Sequence, residues 1–424
     1  MIGFLFKGLI RDRSRSLFPL LTVIIGVALT VLAISWMNGA ESNFVESSAK
    51  FNTGHVKIMS RAYAREADQM PNDLAYIGIE NLMEELETQF PDMVWTARIK
   101  FGGLLDIPDE QGETRAQGPV AGLALDILSS PSIEKTVMEM DKALVRGRLP
   151  QNKGEILLSE DFARSLGIKL EETATLISST MYGSMALQNF AVVGTIRFGI
   201  SAMDRGAMIA DLSDVQTALN MKDAAGEILG FFEDFVYKNE KADAVKAAFN
   251  ARYADASDEF SPVMETLYHQ SGLAELFTMF DTFSGVAIIL FISVMSLVLW
   301  NAGLMGSLRR YGEIGIRLAM GESKGHLYRS LIGESLLIGF FGTIAGTAIG
   351  LALAYYLQTQ GFDIGFLMKN ASLMISNVMR ARITPLSYVV GFIPGLGATF
   401  LGTSISGIGI FRRQSSRLMK EMEA

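Results

Sequence analysis

The chain has 424 residues, 49% hydrophobic and 19% charged, with a formal net charge of −8. That much apolar content beside that much charge excludes an ordinary soluble enzyme and points to a protein divided between membrane and water. The absence of cysteine excludes disulfides, thiolate metal sites, a thiol nucleophile and a lipid-accepting cysteine, and leaves the compartment open.

In chain order, residues 1–16 place Lys7, Arg11 and Arg15 on one helical stripe, with Ile2, Phe4, Leu5, Phe6 and Leu9 covering much of the rest. This predicts an amphipathic helix along the inner membrane surface, its cations near anionic headgroups. A crossing helix needs about 20 mostly apolar residues. Four stretches supply them: 17–37, 283–305, 331–357 and 386–410, the last interrupted by Pro394 and several glycines. The first is longer than a signal-peptide core and no small-x-small site follows it, so it is expected to remain as a span.

Lys and Arg set the orientation. They gather before the first span (Lys7, Arg11, Arg13, Arg15), between the second and third (Arg309, Arg310, Arg317, Lys324, Arg329) and after the fourth (Arg412, Arg413, Arg417, Lys420). Both termini, including the tail 411–424, and the loop 306–330 are therefore expected in the cytoplasm, with 38–282 and the loop 358–385 outside. Residues 38–282 hold 21 Lys+Arg against 38 Asp+Glu. So acidic a segment argues against nucleic acid as a partner.

Within 38–282 the pattern predicts an α+β domain: a helix over 79–90, strands over 95–107 and 115–127 joined by a turn, and further strands at 174–178 and 190–198. Strand-then-helix units are expected at 154–168 with Ser159 as N-cap, at 208–220 with Ser213 as cap, and at 231–253. From Met264 the pattern reads as one helix running into the second span, which would couple outside movement to the membrane. The histidines are His55, His269 and His326, far apart, and no HExxH or GxSxG motif occurs. Carboxylate pairs such as Glu84–Glu85 and Asp109–Glu110 read as solvated surface, so no catalytic or metal site is expected and the domain reads as a binding or mechanical module.

In the loop 306–330, Glu313 stands four residues from both Arg309 and Arg317, an i,i+4 ladder on a helix. Gly321 is expected to stop that helix and Ser323 to cap the next, giving a helix–turn–helix hinge. Gly342, Gly346 and Gly350 recur every four residues, a smooth stripe for a close helix neighbour in this subunit or another. Glu334 is read as an interfacial acid near a helix N-terminus.

The stretch 309–350 resembles the FtsX-like permease domain of the MacB and LolC/LolE class of ABC transporters. The resemblance rests on Arg310, Glu313, Ile314, Gly315, Arg317, Gly321, Glu334, Gly342 and Gly346. The order of parts is similar over the whole chain, and the segments TGHVKIMSRAYA and GEILLSEDFARSLGI resemble the lipoprotein-releasing branch. The tail departs from many relatives in lacking the proline of an Arg-x-x-Pro-x-x-x-Leu-like ending.

The resemblance implies an α-helical bacterial inner-membrane protein of the type VII ABC transporter kind, with four transmembrane helices. A large α+β extracytoplasmic domain is inserted between the first and second. It implies that the loop around Arg310, Glu313, Ile314, Gly315, Arg317, Met320, Gly321 and Glu322 seats on a cytoplasmic ATPase dimer. ATP and Mg would be bound by that partner, since this chain has no GxxxxGK[ST] motif. A second permease, identical or homologous, membrane lipids and a periplasmic carrier or adaptor complete the expected partners. The leading expectation is extraction of lipoproteins from the outer leaflet. Trp36, Met37, Phe44, Phe277, Phe280 and Phe283 are the acyl candidates, a set that ordinary interfacial anchoring also explains. The alternatives are MacB-like efflux through an outer-membrane channel and FtsX-like signalling without transport.

Overall fold

The computed structural model describes residues 13–130, 132–254, 258–270, 273–308, 311–364 and 378–412. Most of the expected surface helix 1–16, most of the tail, and Arg310 lie outside the described residues. The chain divides into two units. One comprises Met1–Ser42, Met279–Phe362 and Met379–Ala424, the other Asn43–Thr278 and Asp363–Val378.

The first unit is helical. Among the described residues it is made of α1 (Arg13–Ser48) and five further α-helices. Three stretches of the described residues are helical, long and apolar enough to cross a membrane: 17–53, 324–360 and 385–405. A shorter apolar stretch, 285–298, lies within the helix Leu273–Leu308. Val23, Val27, Val31 and Ile34 of α1 form a buried core with Ile338, Val390 and Ala398. The opposite faces expose Phe18, Ile25, Ile289, Leu290, Val389 and Leu401. So much contiguous apolar exposure suits lipid rather than water.

The second unit is built on a ten-stranded mixed sheet. Its strands are β1 (Val56–Ser60), β2 (Met93–Pro108), β3 (Thr114–Leu125), β4 (Leu144–Gly147), β5 (Glu155–Ser159), β6 (Glu172–Ser179), β7 (Met185–Ile196), β8 (Ala207–Asp211), β9 (Glu227–Phe232) and β10 (Pro262–Thr266). Their order is β10-β1-β9-β2-β3-β8-β5-β7-β4, with β6 pairing β2 and β7. The pairs β3–β8 and β5–β7 are parallel. The β2–β3 hairpin is the expected one, closed by a turn at 109–113 in which the Asp109 carboxylate accepts from the backbone of Gln111 and Glu113. Helix α2 (Ile79–Gln89) turns Leu82 and Leu86 into the main core. Further helices are α3 (Glu160–Ser165), α4 (Leu212–Ala218) and α5 (Asn239–Arg252) in this unit, and α6 (Leu273–Leu308), α7 (Tyr311–Ala319), α8 (Lys324–Gln360), α9 (Pro385–Val389) and α10 (Thr399–Arg412).

Several local expectations are corrected. Residues 262–266 form β10, antiparallel to β1, so the helix expected from Met264 begins instead at Leu273, with 271 and 272 outside the described residues. Five long-range ladder partners on β1 outweigh the local helical periodicity there. The strand at 231 ends at Phe232, because Asp234 folds the chain back by accepting from the Val236 N–H. The cap of α4 is Asp211, which accepts from the Ser213 N–H at 3.0 Å, and Ser213 lies inside the helix. Ser159 occupies the N-cap position of α3 without a side-chain bond to the helix. The following Glu160 is fully buried, where it accepts from Thr195, Arg146 and Arg164.

Candidate functional site

The hinge ahead of α8 is defined by three backbone devices. Gly321 adopts φ +94°, a conformation that suits only glycine without strain. It lets the Glu322 N–H reach the Arg317 carbonyl and the Gly321 N–H reach Leu318, both at 3.1 Å, a Schellman ending to α7. Ser323 then caps α8, its hydroxyl accepting from the His326 N–H. Leu318 and Leu331 pack on buried Leu327, which fastens the short helix to the long one. Gly315 is buried, whereas Ile316, Arg317 and Met320 are exposed, Met320 by 75%. Glu322 lies 3.8 Å from His326. Glu313 and Ile314 lie on α7, and Arg310 is outside the described residues. The result is a tight, preformed elbow presenting two apolar side chains and a cation.

The glycine stripe of α8 lies against α1 of the same chain. A Cβ on Gly342 would stand 2.7 Å from Val23, one on Gly346 2.6 Å from the Ile24 carbonyl, and one on Gly350 2.9 Å from the Ala28 carbonyl. Backbone contact of this kind is open only to the smallest residue. The fourth apolar stretch follows suit: α9 ends at Val389 and a π-helical segment, Ile393–Ala398, carries Pro394 before α10. Its Gly395 faces Thr343 and Val27. At one end of this bundle Ser35 bonds Ser387 and Asn38 bonds Thr384, both at 3.1 Å.

The six apolar candidates divide between the two units. Trp36 meets Phe362 edge-on at 6.0 Å, Met37 is half-buried, and Phe283 is 73% exposed. Phe44 packs into a small core with Ala49, Val137, Leu229 and Phe231. Phe277 and Phe280 lie on α6.

Buried charge in the second unit was not anticipated. Arg98 and Glu134 are both fully buried, joined by two hydrogen bonds of 2.7 and 2.8 Å. Arg98 also donates to the Lys50 carbonyl at 2.9 Å, and so holds the π-helical turn Ala49–Thr53 that follows α1. Lys100 donates to Asn52 in the same turn and to Glu227, which Lys57 also contacts at 2.9 Å. Burial alone would raise the Glu227 pKa, but Lys100 and Lys57 hold it down near 2; burial lowers Lys57 to about 8 against the pull of Glu227. The available signal was a cation in the middle of an apolar strand, as in VKIMS and WTARIKF, which cannot be buried unpaired. At the far end of the β6–β7 hairpin, Tyr182, Met185 and Leu187 are exposed by 70, 74 and 62%.

The family model of the MacB-like periplasmic core domain matches residues 16–252, more than half of the chain. The chain belongs to that family. The model of the FtsX-like permease C-terminal matches residues 285–415 of this MacB-like chain. Together they make it an ABC transporter permease of the MacB, FtsX and LolC type. It is 24% identical over 256 residues to the lipoprotein-releasing system transmembrane protein LolC of Xylella fastidiosa (strain Temecula1), covering 58% of each chain. It is 28% identical to the macrolide export ATP-binding/permease protein MacB of Hyphomonas neptunium over 132 residues, 30% of this chain and 17% of the other. The periplasmic region of MacB from Actinobacillus actinomycetemcomitans aligns at 12% identity and a TM-score of 0.35, covering 51% of this chain and 90% of that one. The matches span little more than half the length of the LolC relatives.

Proposed function

We propose that the chain is the permease subunit of an inner-membrane ABC transporter in which a separate ATPase drives motion of the periplasmic unit, and that its cargo is lipoprotein held in the outer leaflet. In this reading four helices cross the membrane, both termini are cytoplasmic, and 38–282 is periplasmic. The observation that carries the mechanical part is the elbow at 316–321, a rigid turn with Ile316, Arg317 and Met320 exposed. An apolar knob beside a cation suits a groove on a protein partner. ATP and Mg belong to that partner. Lipoprotein is favoured over small-molecule efflux because the likeness to LolC covers 58% of the chain and the likeness to MacB 30%. The outermost part of the β6–β7 hairpin, with Tyr182, Met185 and Leu187, suits a periplasmic carrier or adaptor.

The chain's own residues would act as a lever. The buried Arg98–Glu134 pair and the Lys57–Glu227–Lys100 triad tie the turn Ala49–Thr53 to the sheet, and in this reading they would pass a displacement of that turn on to the sheet.

The test is co-purification with the candidate ATPase and its stimulated turnover. Met320→Glu and Gly321→Val should each reduce both by about tenfold or more while the chain still inserts. Unchanged association removes the coupling role. A photo-crosslinker at Phe283 should capture acylated but not unacylated lipoprotein. Capture of neither, with an adaptor retained by the hairpin, turns the reading toward efflux.

A further inference from the structure

The second unit contains a cavity of about 190 Å³ that the proposed transport cycle does not use. Its floor is made by Phe51, Met138, Met140, Ile196 and Ile209, all buried residues of one apolar cluster. Phe198 closes one side, edge-on to Phe51 at 5.9 Å. An apolar cavity of about 150 Å³ accepts a benzene ring, so this one has room for a single ring or a short acyl segment.

The rim has the opposite character. Lys50, Lys142 and Arg197 line it with one carboxylate, Glu139. Glu139 sits at φ +46° and accepts from both lysines, at 3.4 Å from Lys50 and 2.5 Å from Lys142. Those hydrogen bonds, that of Lys142 foremost, keep its carboxyl below the usual range and therefore ionised. Arg197 is 3.4 Å from Asp161, which does not line the cavity. The cavity lining itself carries three cations against the single carboxylate of Glu139, while Asp161 and Asp204 face Arg197 from outside the lining, within a segment of 21 basic and 38 acidic residues. Three cations gathered over an apolar floor on so acidic a domain single out this spot.

The backbone of this wall is fixed before any ligand arrives. The Lys50 carbonyl is bonded by buried Arg98, and the Arg197 N–H bonds the Ala143 carbonyl at 2.9 Å. A site held this way loses little freedom on binding.

We propose that this cavity is a binding site for a small amphipathic anion, a carboxylate or phosphate monoester on an apolar body the size of one aromatic ring or a short acyl chain. The apolar body fills the floor of Met138, Met140 and Phe51, and the anion lies among Lys50, Lys142 and Arg197.

The test uses the full chain in nanodiscs, with methyl-labelled methionine followed by NMR and 4-phenylbutyrate as the probe. Met138 and Met140 methyl signals, assigned by substitution, should shift saturably while that of Met264, buried in the other core cluster, stays put. The uncharged 4-phenylbutanamide should bind about tenfold more weakly, and Lys142→Glu, at a side chain 81% exposed, should weaken 4-phenylbutyrate several-fold without moving Met264. Equal binding of acid and amide, indifference to Lys142→Glu, or no shift at Met138 and Met140 at millimolar probe would each overturn the assignment.

Discussion

Arg98 and Glu134 lie side by side in a fully buried position, and neither can lose the other cheaply. Desolvated partners need not stabilise a fold relative to an apolar pair, but removing one strands the other. Glu134→Ala should therefore cost about 3–5 kcal/mol, read from denaturant unfolding of the full chain, and it should also loosen the turn at Lys50. A double variant with Arg98→Met should recover part of the loss; failure to recover any would show that the pair has a different role. His55 makes a second prediction. It is buried against Phe231, Phe232 and Tyr237, and its Nδ1 accepts from the Phe232 N–H at 3.0 Å. Burial lowers its pKa from 6.5 to about 4, against the small opposing pull of Asp234. Between these values the unfolded chain binds a proton that the folded chain refuses. Stability from this group is present above pH 6.5 and falls as pH drops to about 4, by roughly 3 kcal/mol in all. In His55→Gln the slope over that window should flatten; an unaltered slope would assign it to other groups.

Elements carry the next set of consequences. The contact of α8 with α1 depends on three glycines one turn apart, so a side chain at the middle one has nowhere to go. Gly346→Val should destabilise the bundle by about 1–3 kcal/mol or splay it, visible as lower thermal stability in detergent. Gly325, with open space where its Cβ would lie, serves as the tolerant control. The hinge was legible because its parts are local: Gly321 for the left-handed turn and Ser323 for the cap act within a few residues. The strands β2, β3 and β7 were legible by their alternation and turns. What escaped was non-local. Met264 looks helical beside its neighbours, yet β1 needs a second partner and takes it. Ser213 looked like a cap because serine commonly is one, while Asp211 two residues earlier holds the stronger acceptor. The cavity at Met138 joins three separated segments, and no local pattern could announce it.

At the scale of the whole molecule, charge is unevenly shared. The segment 38–282 is strongly acidic, and the cations of the remainder cluster beside the apolar stretches. Since the chain lacks cysteine, single replacements report side directly. Gln111→Cys, in the exposed turn of the β2–β3 hairpin, should react with an impermeant maleimide once the outer membrane is opened. Met320→Cys should react only after the inner membrane is breached. The reverse pattern would invert the topology and with it the coupling role of the elbow.

Strand β1 stands between β9 and β10, so residues 56–60 are bonded to 228–230 on one side and 262–266 on the other. The earliest strand to be made is thus the last to be enclosed. Until Thr266 has been synthesised and delivered to the same side, the sheet has a raw margin at its first strand, and closure across so long a stretch is slow. During that interval the nascent chain is open to proteolysis and to pairing with its neighbours, and helpers that shield an unpaired strand would matter most then.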